Sequence, residues 1–152
     1  MSRLVAIAIF VLSANPGAAK ARDLLIFGDS LSAAYGIDVN AGWPQLLNER
    51  LRAAGYRLTV VNASISGETT AGGARRIGKL VNQYSPLCVL VALGANDGLR
   101  GLDPEETYRN LATILESIEQ ADACVILVKI RIPPNYGPQY TAAFEEIGRA
   151  HV

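Results

Sequence analysis

The sequence predicts a single α/β domain whose parallel sheet is covered by helices on both faces, and three observations support this. The chain has 152 residues, half of them hydrophobic and fewer than a fifth charged, which suits one folded domain and disfavours a disordered chain. Four short apolar runs alternate with longer helical segments. Each run is almost continuous in Val, Ile and Leu, as expected for strands buried on both faces.

The predicted strands and helices alternate along the chain. The strands are residues 23–27, 58–62, 87–93 and 124–130. The helices are residues 43–54, 70–84, 104–120 and 140–147, and the first of them places three leucines on one face, Leu46, Leu47 and Leu51. Asp103-Pro104 predicts an N-cap followed by proline at the first helical position, and Gly55 predicts the end of the first helix. The alternation predicts one doubly wound domain.

Residues 1–21 have the pattern of a secretory signal peptide. Arg3 precedes an apolar stretch over residues 4–12, and small residues lead to Ala19-Lys20-Ala21. The stretch is shorter than the roughly 20 apolar residues that a membrane span needs. An uncleaved anchor and a buried strand are the alternatives. We expect cleavage after Ala21, which leaves an exported, mildly acidic protein with no membrane span.

Charge and cysteine content exclude two classes of function. The formal net charge is zero and no cluster of Lys and Arg occurs, so nucleic-acid binding is not predicted. One histidine and two distant cysteines cannot build a zinc site, so no metal is expected. Cys88 and Cys124 each lie near the start of an apolar run, where cysteine can serve as a small buried residue. We expect free buried thiols, with a disulfide as the alternative if the two runs lie side by side.

Small and polar residues follow the first three predicted strands. Gly28-Asp29-Ser30 follows the first strand, Gly67 lies in the segment after the second, and Asn96 follows the third. In a parallel sheet these loops meet at the edge where ligands bind. Taken singly, each residue suits an N-cap, a turn or a backbone-bonding loop. Together they predict a nucleophile, Ser30, at the start of a helix, with oxyanion donors from Ser30, Gly67 and Asn96.

Three segments resemble the first three sequence blocks of the SGNH, or GDSL, hydrolases: FGDSLSAAYG, NASISGETTAGG and LGANDGLRG. The resemblance is closest to the exported arylesterase, acyl-thioesterase and lysophospholipase branch, and IRIPPNYGPQY extends it into the fourth loop. It implies a flavodoxin-like three-layer α/β/α fold and ester hydrolysis without a metal or other cofactor. It also implies that Ser30 is the nucleophile and that Gly67 and Asn96 join the Ser30 amide in the oxyanion hole. We expect Asp29 and Asp97 to tie down loops.

Two other enzyme classes are disfavoured by the motifs that the sequence does not contain. A serine hydrolase of the α/β-hydrolase type would show Gly-x-Ser-x-Gly. A dinucleotide or phosphate binder would carry Gly-x-Gly-x-x-Gly or a P-loop after the first strand. Neither motif is present.

The last block of the family, Asp-x-x-His, has no counterpart in the sequence. The single histidine, His151, has Gly148 rather than an acid three residues before it, so we do not assign it as the base. The resemblance implies that the last strand and closing helix are missing from the domain at residues 22–147. One codon choice for residues 146–152 contains the opening of a common sequencing adapter, so residues 148–152 are expected to be a non-native tail. We expect this fragment to fold poorly and to be inactive.

For the intact protein, the sequence predicts hydrolysis of carboxylic esters or thioesters through an acyl-enzyme on Ser30. Aryl esters, acyl-thioesters and lysophospholipids all fit the resemblance, and a periplasmic or secreted monomer is expected. Four apolar loop residues are candidates for the acyl pocket, although each also suits simple loop packing: Leu99, Ile132, Pro133 and Tyr136. A non-catalytic binding module and an exported carbohydrate O-deacetylase are the alternatives.

Overall fold

Four parallel strands form a sheet in the order β2-β1-β3-β4. The structure, a computed structural model, describes residues 22–130, 142, 145–147 and 149. The strands are β1 (Arg22–Gly28), β2 (Leu58–Asn62), β3 (Cys88–Ala92) and β4 (Cys124–Leu127). The chain moves to one side of β1 to form β2 and then to the other side to form β3, so the strand order reverses at β1. Such a reversal opens a crevice at the carboxyl ends of the strands.

The α/β prediction is confirmed, and the strand predictions are correct to within a few residues. β3 and β4 are shorter than the predicted runs at 87–93 and 124–130. Gly28 at the end of β1 lies in register with Ala92 at the end of β3. The loops that follow these two strands therefore start at the same level of the sheet.

Four helices are described, together with a short 3-10 helix at Val39–Ala41. They are α1 (Trp43–Ala53), α2 (Thr70–Tyr84), α3 (Ala95–Leu99) and α4 (Pro104–Gln120). The predicted start of α4 is confirmed, because the Asp103 carboxylate accepts a hydrogen bond from the Glu105 N–H and Pro104 is the first helical residue. Gly55 follows α1 with a φ of +80°, which supports its predicted role in ending the helix. In the predicted helix at 140–147, the described residues 142 and 145–147 are helical.

The predicted apolar face of α1 is only partly buried. Leu46 is 45 % exposed, Leu47 and Leu51 are half-buried, and the buried residue of the helix is Pro44. The helix packs against β2, the outermost strand on its side of the sheet, where the Asn48 side chain accepts a hydrogen bond from the Val60 N–H (3.2 Å). A helix at the margin of a sheet has less surface to cover it than a helix over the centre.

The main core lies between the sheet and the pair α2 and α4. Leu25 and Phe27 of β1 and Val89 and Val91 of β3 point to this side and are fully buried. They pack against apolar residues of the two helices, among them Ile77, Leu111, Ile114, Leu115 and Ile118. With α1 on the other face of β2, the elements form three layers, as the resemblance implies.

Cys88 and Cys124 form a disulfide, so the expectation of free buried thiols is wrong. The two residues are register partners on β3 and β4, with their Cα atoms 4.3 Å apart. Neighbouring positions on adjacent strands point their side chains to the same face of a sheet, which brings the two sulfur atoms together. Cys88 is half-buried and Cys124 is exposed. The two apolar runs lie side by side as β3 and β4, which is the arrangement under which a disulfide was the alternative expectation.

Candidate active site

Ser30 lies in a tight turn directly after β1, partly exposed. The Asp29 carbonyl accepts hydrogen bonds from the Ser32 and Ala33 amides (3.1 and 2.9 Å), and the Asp29 carboxylate accepts one from the Leu31 amide (3.1 Å). The prediction that Ser30 starts a helix is wrong, since residues 30–36 form consecutive turns. Ala34 adopts a φ of +58°, which a right-handed helix does not allow. The bonds to Asp29 nevertheless fix the backbone on both sides of Ser30.

Gly67 lies in the loop between β2 and α2, which contacts the end of β1. The Ile65 amide donates to the Gly28 carbonyl (3.0 Å), and this places the loop beside the Ser30 turn. Gly67 adopts a φ of +77°, a conformation that favours glycine. Its carbonyl accepts a hydrogen bond from Nη2 of Arg100 (2.9 Å), a residue just after α3. Contacts to two neighbouring loops therefore hold this glycine.

Asn96 links the three loops. It lies in the first turn of α3, a five-residue helix where the sequence predicted a loop. Its Nδ2 donates to the Glu68 carbonyl at 2.9 Å and, over a longer distance of 3.4 Å, to Oδ2 of Asp29. Glu68 follows Gly67, and Asp29 precedes Ser30. The structure thus brings the loops of Ser30, Gly67 and Asn96 together at the carboxyl end of the sheet.

The carboxylates of Asp29 and Asp97 tie loops together, as expected. Asp97 is buried and accepts hydrogen bonds from both the amide (3.0 Å) and the hydroxyl (2.6 Å) of Thr70, the first residue of α2. The Asn110 side chain donates to the same hydroxyl (3.3 Å), which extends the network to α4. Burial raises the pKa of Asp29 above its ordinary value, and the nearby Asp97 charge raises the pKa further against the lowering effect of backbone hydrogen bonds.

A mainly apolar cavity of about 340 Å³ lies beside the Ser30 turn. Asp29 and Ser32, on either side of Ser30 in the chain, line part of it, whereas Ser30, Gly67 and Asn96 do not. The remaining lining residues are Leu31, Trp43, Leu90, Ala92, Val128 and Ile130. Leu99, a predicted pocket residue, lies at the end of α3, 53 % exposed, and is not part of this lining. Ile132, Pro133, Tyr136 and His151 lie outside the described residues.

The sequence prediction did not identify the cavity residues Leu31 and Trp43. Leu31 follows Ser30 directly, and Trp43 is the only tryptophan of the chain, so both carried a signal that could have been used. Among residues 22–130 and the described positions that follow, His, Cys, Asp and Glu form no group that could hold a metal ion. No helix in that same part of the chain is long and apolar enough to cross a membrane.

A parallel sheet between two helical layers, with serine, glycine and asparagine in the segments that follow three successive strands, defines the class of SGNH-type hydrolases. The sequence model of the GDSL-like lipase/acylhydrolase family matches residues 26–151, and the chain belongs to this family. The chain is similar to esterase TesA of Pseudomonas aeruginosa, with 47% identity over 129 residues that cover 85% of this chain and 64% of that protein.

Two further comparisons agree with this assignment. Thioesterase 1/protease 1/lysophospholipase L1 of Escherichia coli K12 is 45% identical over 139 residues, which cover 91% of this chain and 65% of that protein. The crystal structure of the psychrotrophic esterase EstA from Pseudoalteromonas sp., inhibited by monoethylphosphonate, superposes with a TM-score of 0.81 at 42% identity and covers 86% of this chain and 73% of that one. The matched region spans less than two thirds of the length of the Pseudomonas and Escherichia relatives.

Proposed function

We propose that this protein hydrolyses carboxylic esters or thioesters through an acyl-enzyme formed on Ser30. The observation that carries the proposal is the pair of hydrogen bonds from Asn96 Nδ2, because they join the loop of the nucleophile to the loop of Gly67. The relatives from Pseudomonas aeruginosa and Escherichia coli, an esterase and a thioesterase/lysophospholipase, support the same reaction class.

In the proposed reaction, the Ser30 hydroxyl attacks the carbonyl carbon of the substrate and its proton passes to a base. The carbonyl oxygen becomes an oxyanion that accepts hydrogen bonds from the amides of Ser30 and Gly67 and from Asn96 Nδ2. One such donor contributes on the order of 3 kcal/mol to the transition state. Collapse of this intermediate expels the alcohol or thiol, and water then releases the acyl group from Ser30.

The two hydrogen bonds of Asn96 indicate which amide hydrogen would reach the oxyanion. The bond to the Glu68 carbonyl is short at 2.9 Å, whereas the contact with Asp29 is long at 3.4 Å and therefore weak. The hydrogen that faces Asp29 is thus the one that the substrate oxygen would take over. The bond to Glu68 would keep the carboxamide in place during the exchange.

The apolar cavity lies beside the Ser30 turn, but Ser30, Gly67 and Asn96 do not line it, so we do not assign it to the acyl or aryl part of the substrate. Leu99, Ile132, Pro133 and Tyr136 remain the candidates for contacts with that part. We also propose that residues 1–21 direct export to the periplasm or the exterior and are then removed. Within the whole protein, the general base is expected from an Asp-x-x-His block.

Covalent labelling tests the proposal. A fluorophosphonate probe reacts only with an activated serine, and the phosphonate inhibition of EstA makes this chemistry suitable. We expect the full-length protein to be labelled at Ser30 and to hydrolyse p-nitrophenyl butyrate and an acyl-thioester, and the Ser30→Ala variant to do neither. Labelling at another residue, or equal turnover by Ser30→Ala, would contradict the proposed nucleophile. No labelling of a folded full-length protein would favour a non-catalytic binding module.

A further inference from the structure

Arg76 lies beneath the loop between β2 and α2 and bonds to both ends of it. The residue belongs to the second turn of α2, and its side chain is only 22 % exposed. Its Nη1 donates to the Ala63 carbonyl (2.8 Å), just after β2, and its Nε donates to Oε2 of Glu68 (2.6 Å), next to Gly67. One guanidinium group therefore spans the segment that carries Gly67.

The same guanidinium contacts the strand that leads to Ser30. Its central carbon lies 4.4 Å from the ring centroid of Phe27, a fully buried residue of β1 one position before Gly28. This is the geometry of a cation–π interaction. A planar group with donors on several sides can make these three contacts at once, whereas the single ammonium of a lysine cannot.

Glu68 connects two oxyanion donors of the proposed site, since it follows Gly67 in the chain and contacts Asn96 in space. Its side chain is 12 % exposed and pairs with Arg76, its amide donates to the Ile65 carbonyl (3.1 Å), and its carbonyl accepts from Asn96. The first turn of α2 leaves space for the carboxylate, since a Cβ added at Gly72 would overlap Oε1 of Glu68. The position of Glu68 is thus fixed by backbone, side chain and neighbouring helix.

We infer that Arg76 is a positioning residue that, through Glu68 and Ala63, holds the Gly67 amide in the geometry needed to stabilise the oxyanion. The inference rests on the proposed function. Gly67 has no side chain that could anchor it, so its amide direction depends on the hydrogen bond of its own carbonyl with Arg100 and on the contacts of the flanking residues. Oxyanion donors act mainly in the transition state, and an error of about 1 Å in such a group can cost about 100-fold in rate. Loosening the loop should therefore lower kcat and leave KM almost unchanged.

The test compares Arg76→Met, Arg76→Lys and Glu68→Gln with Arg75→Met in the full-length protein. Arg75 is the neighbouring arginine on α2 and is exposed, so its substitution is a matched control. We expect Arg76→Met to lower kcat for p-nitrophenyl butyrate by roughly 10- to 100-fold with KM changed by less than about twofold. Arg76→Lys should lie between Arg76→Met and the wild type, because it keeps the charge opposite Glu68 but not the planar group.

A second readout does not depend on catalysis. Hydrogen exchange of the Glu68 amide, followed by NMR, reports on the loop itself, and we expect it to accelerate in Arg76→Met relative to amides of β1 and β3. Gly72→Ala perturbs the pair from the other side, since the added methyl group displaces the Glu68 carboxylate while Arg76 is retained. It should lower kcat about as much as Glu68→Gln.

Several results would overturn the inference. One is an Arg76→Met variant whose kcat and Glu68 exchange match those of Arg75→Met. Another is a loss of kcat/KM in Arg76→Met that comes as much from a rise in KM as from a fall in kcat. A third is a loss of activity accompanied by equally faster amide exchange throughout β1 and β3. Both results indicate a general structural role. If the wild-type protein shows no turnover that depends on Ser30, the proposed function fails, and the Glu68 exchange then decides alone whether Arg76 fixes the loop.

Discussion

Removal of the disulfide between Cys88 and Cys124 should destabilise the protein strongly. The link joins residues separated by 36 positions, and closing a loop of this size restricts the unfolded chain by about 4 kcal/mol. For a domain of this length, that free energy corresponds to a fall in Tm of about 10–15 °C. The loop contains α3 and α4, so the cross-link fastens β4 to the strand beside it.

The assay is urea unfolding of the Cys88→Ala/Cys124→Ala double variant, followed by circular dichroism. Wild-type protein treated with a reductant should unfold at the same urea concentration as the double variant, and the reductant should not affect that variant. This comparison separates the loss of the cross-link from the loss of the side chains. A double variant within about 1 kcal/mol of the oxidised wild type would refute the entropic reasoning, because that model gives about four times as much.

Three further predictions follow from close contacts and charges. Asn96→Ala should lower kcat for p-nitrophenyl butyrate by about 100- to 1,000-fold with little change in KM, and an equal rise in KM would contradict its role as an oxyanion donor. Gly73→Ala should destabilise the fold by about 1–3 kcal/mol in urea unfolding, because a Cβ there would lie 2.6 Å from Cδ1 of Leu93; unchanged stability would show that the core adapts. Asp29→Asn should gain stability relative to the wild type as the pH rises above 3.8, because burial raises the pKa of Asp29 and disfavours its ionised form in the folded protein. Urea unfolding of both proteins at pH 4 and pH 7 measures this difference. A gain that shrinks as the pH rises would contradict the reasoning.

The sequence predicted the features that depend on local pattern. Continuous apolar runs identified the four strands, and the alternation with helices implied that Gly28, Gly67 and Asn96 lie near one end of the sheet. The contacts of Asn96 with Glu68 and Asp29 confirm that these loops meet. This prediction was possible because the carboxyl ends of neighbouring parallel strands share one edge, whatever the exact register.

Features that depend on register or on the covering of a face were not predicted correctly. The pairing of Cys88 with Cys124 follows from the alignment of β3 with β4, which no local pattern encodes. Helical periodicity groups Leu46 with its neighbours, but it does not say whether another element covers them. The turn after Ser30 needs a positive φ at Ala34, and alanine gives no indication of that.

Through its contact with Arg76, Phe27 is at once a core residue and a residue that affects the proposed active site. Phe27 is fully buried, and in a search for stabilising substitutions it would be treated as a packing site where leucine is acceptable. Leucine has no π face to offer the guanidinium group, so a variant selected for heat resistance alone could fold well and turn over slowly. Libraries that randomise this core should therefore keep an aromatic residue at position 27.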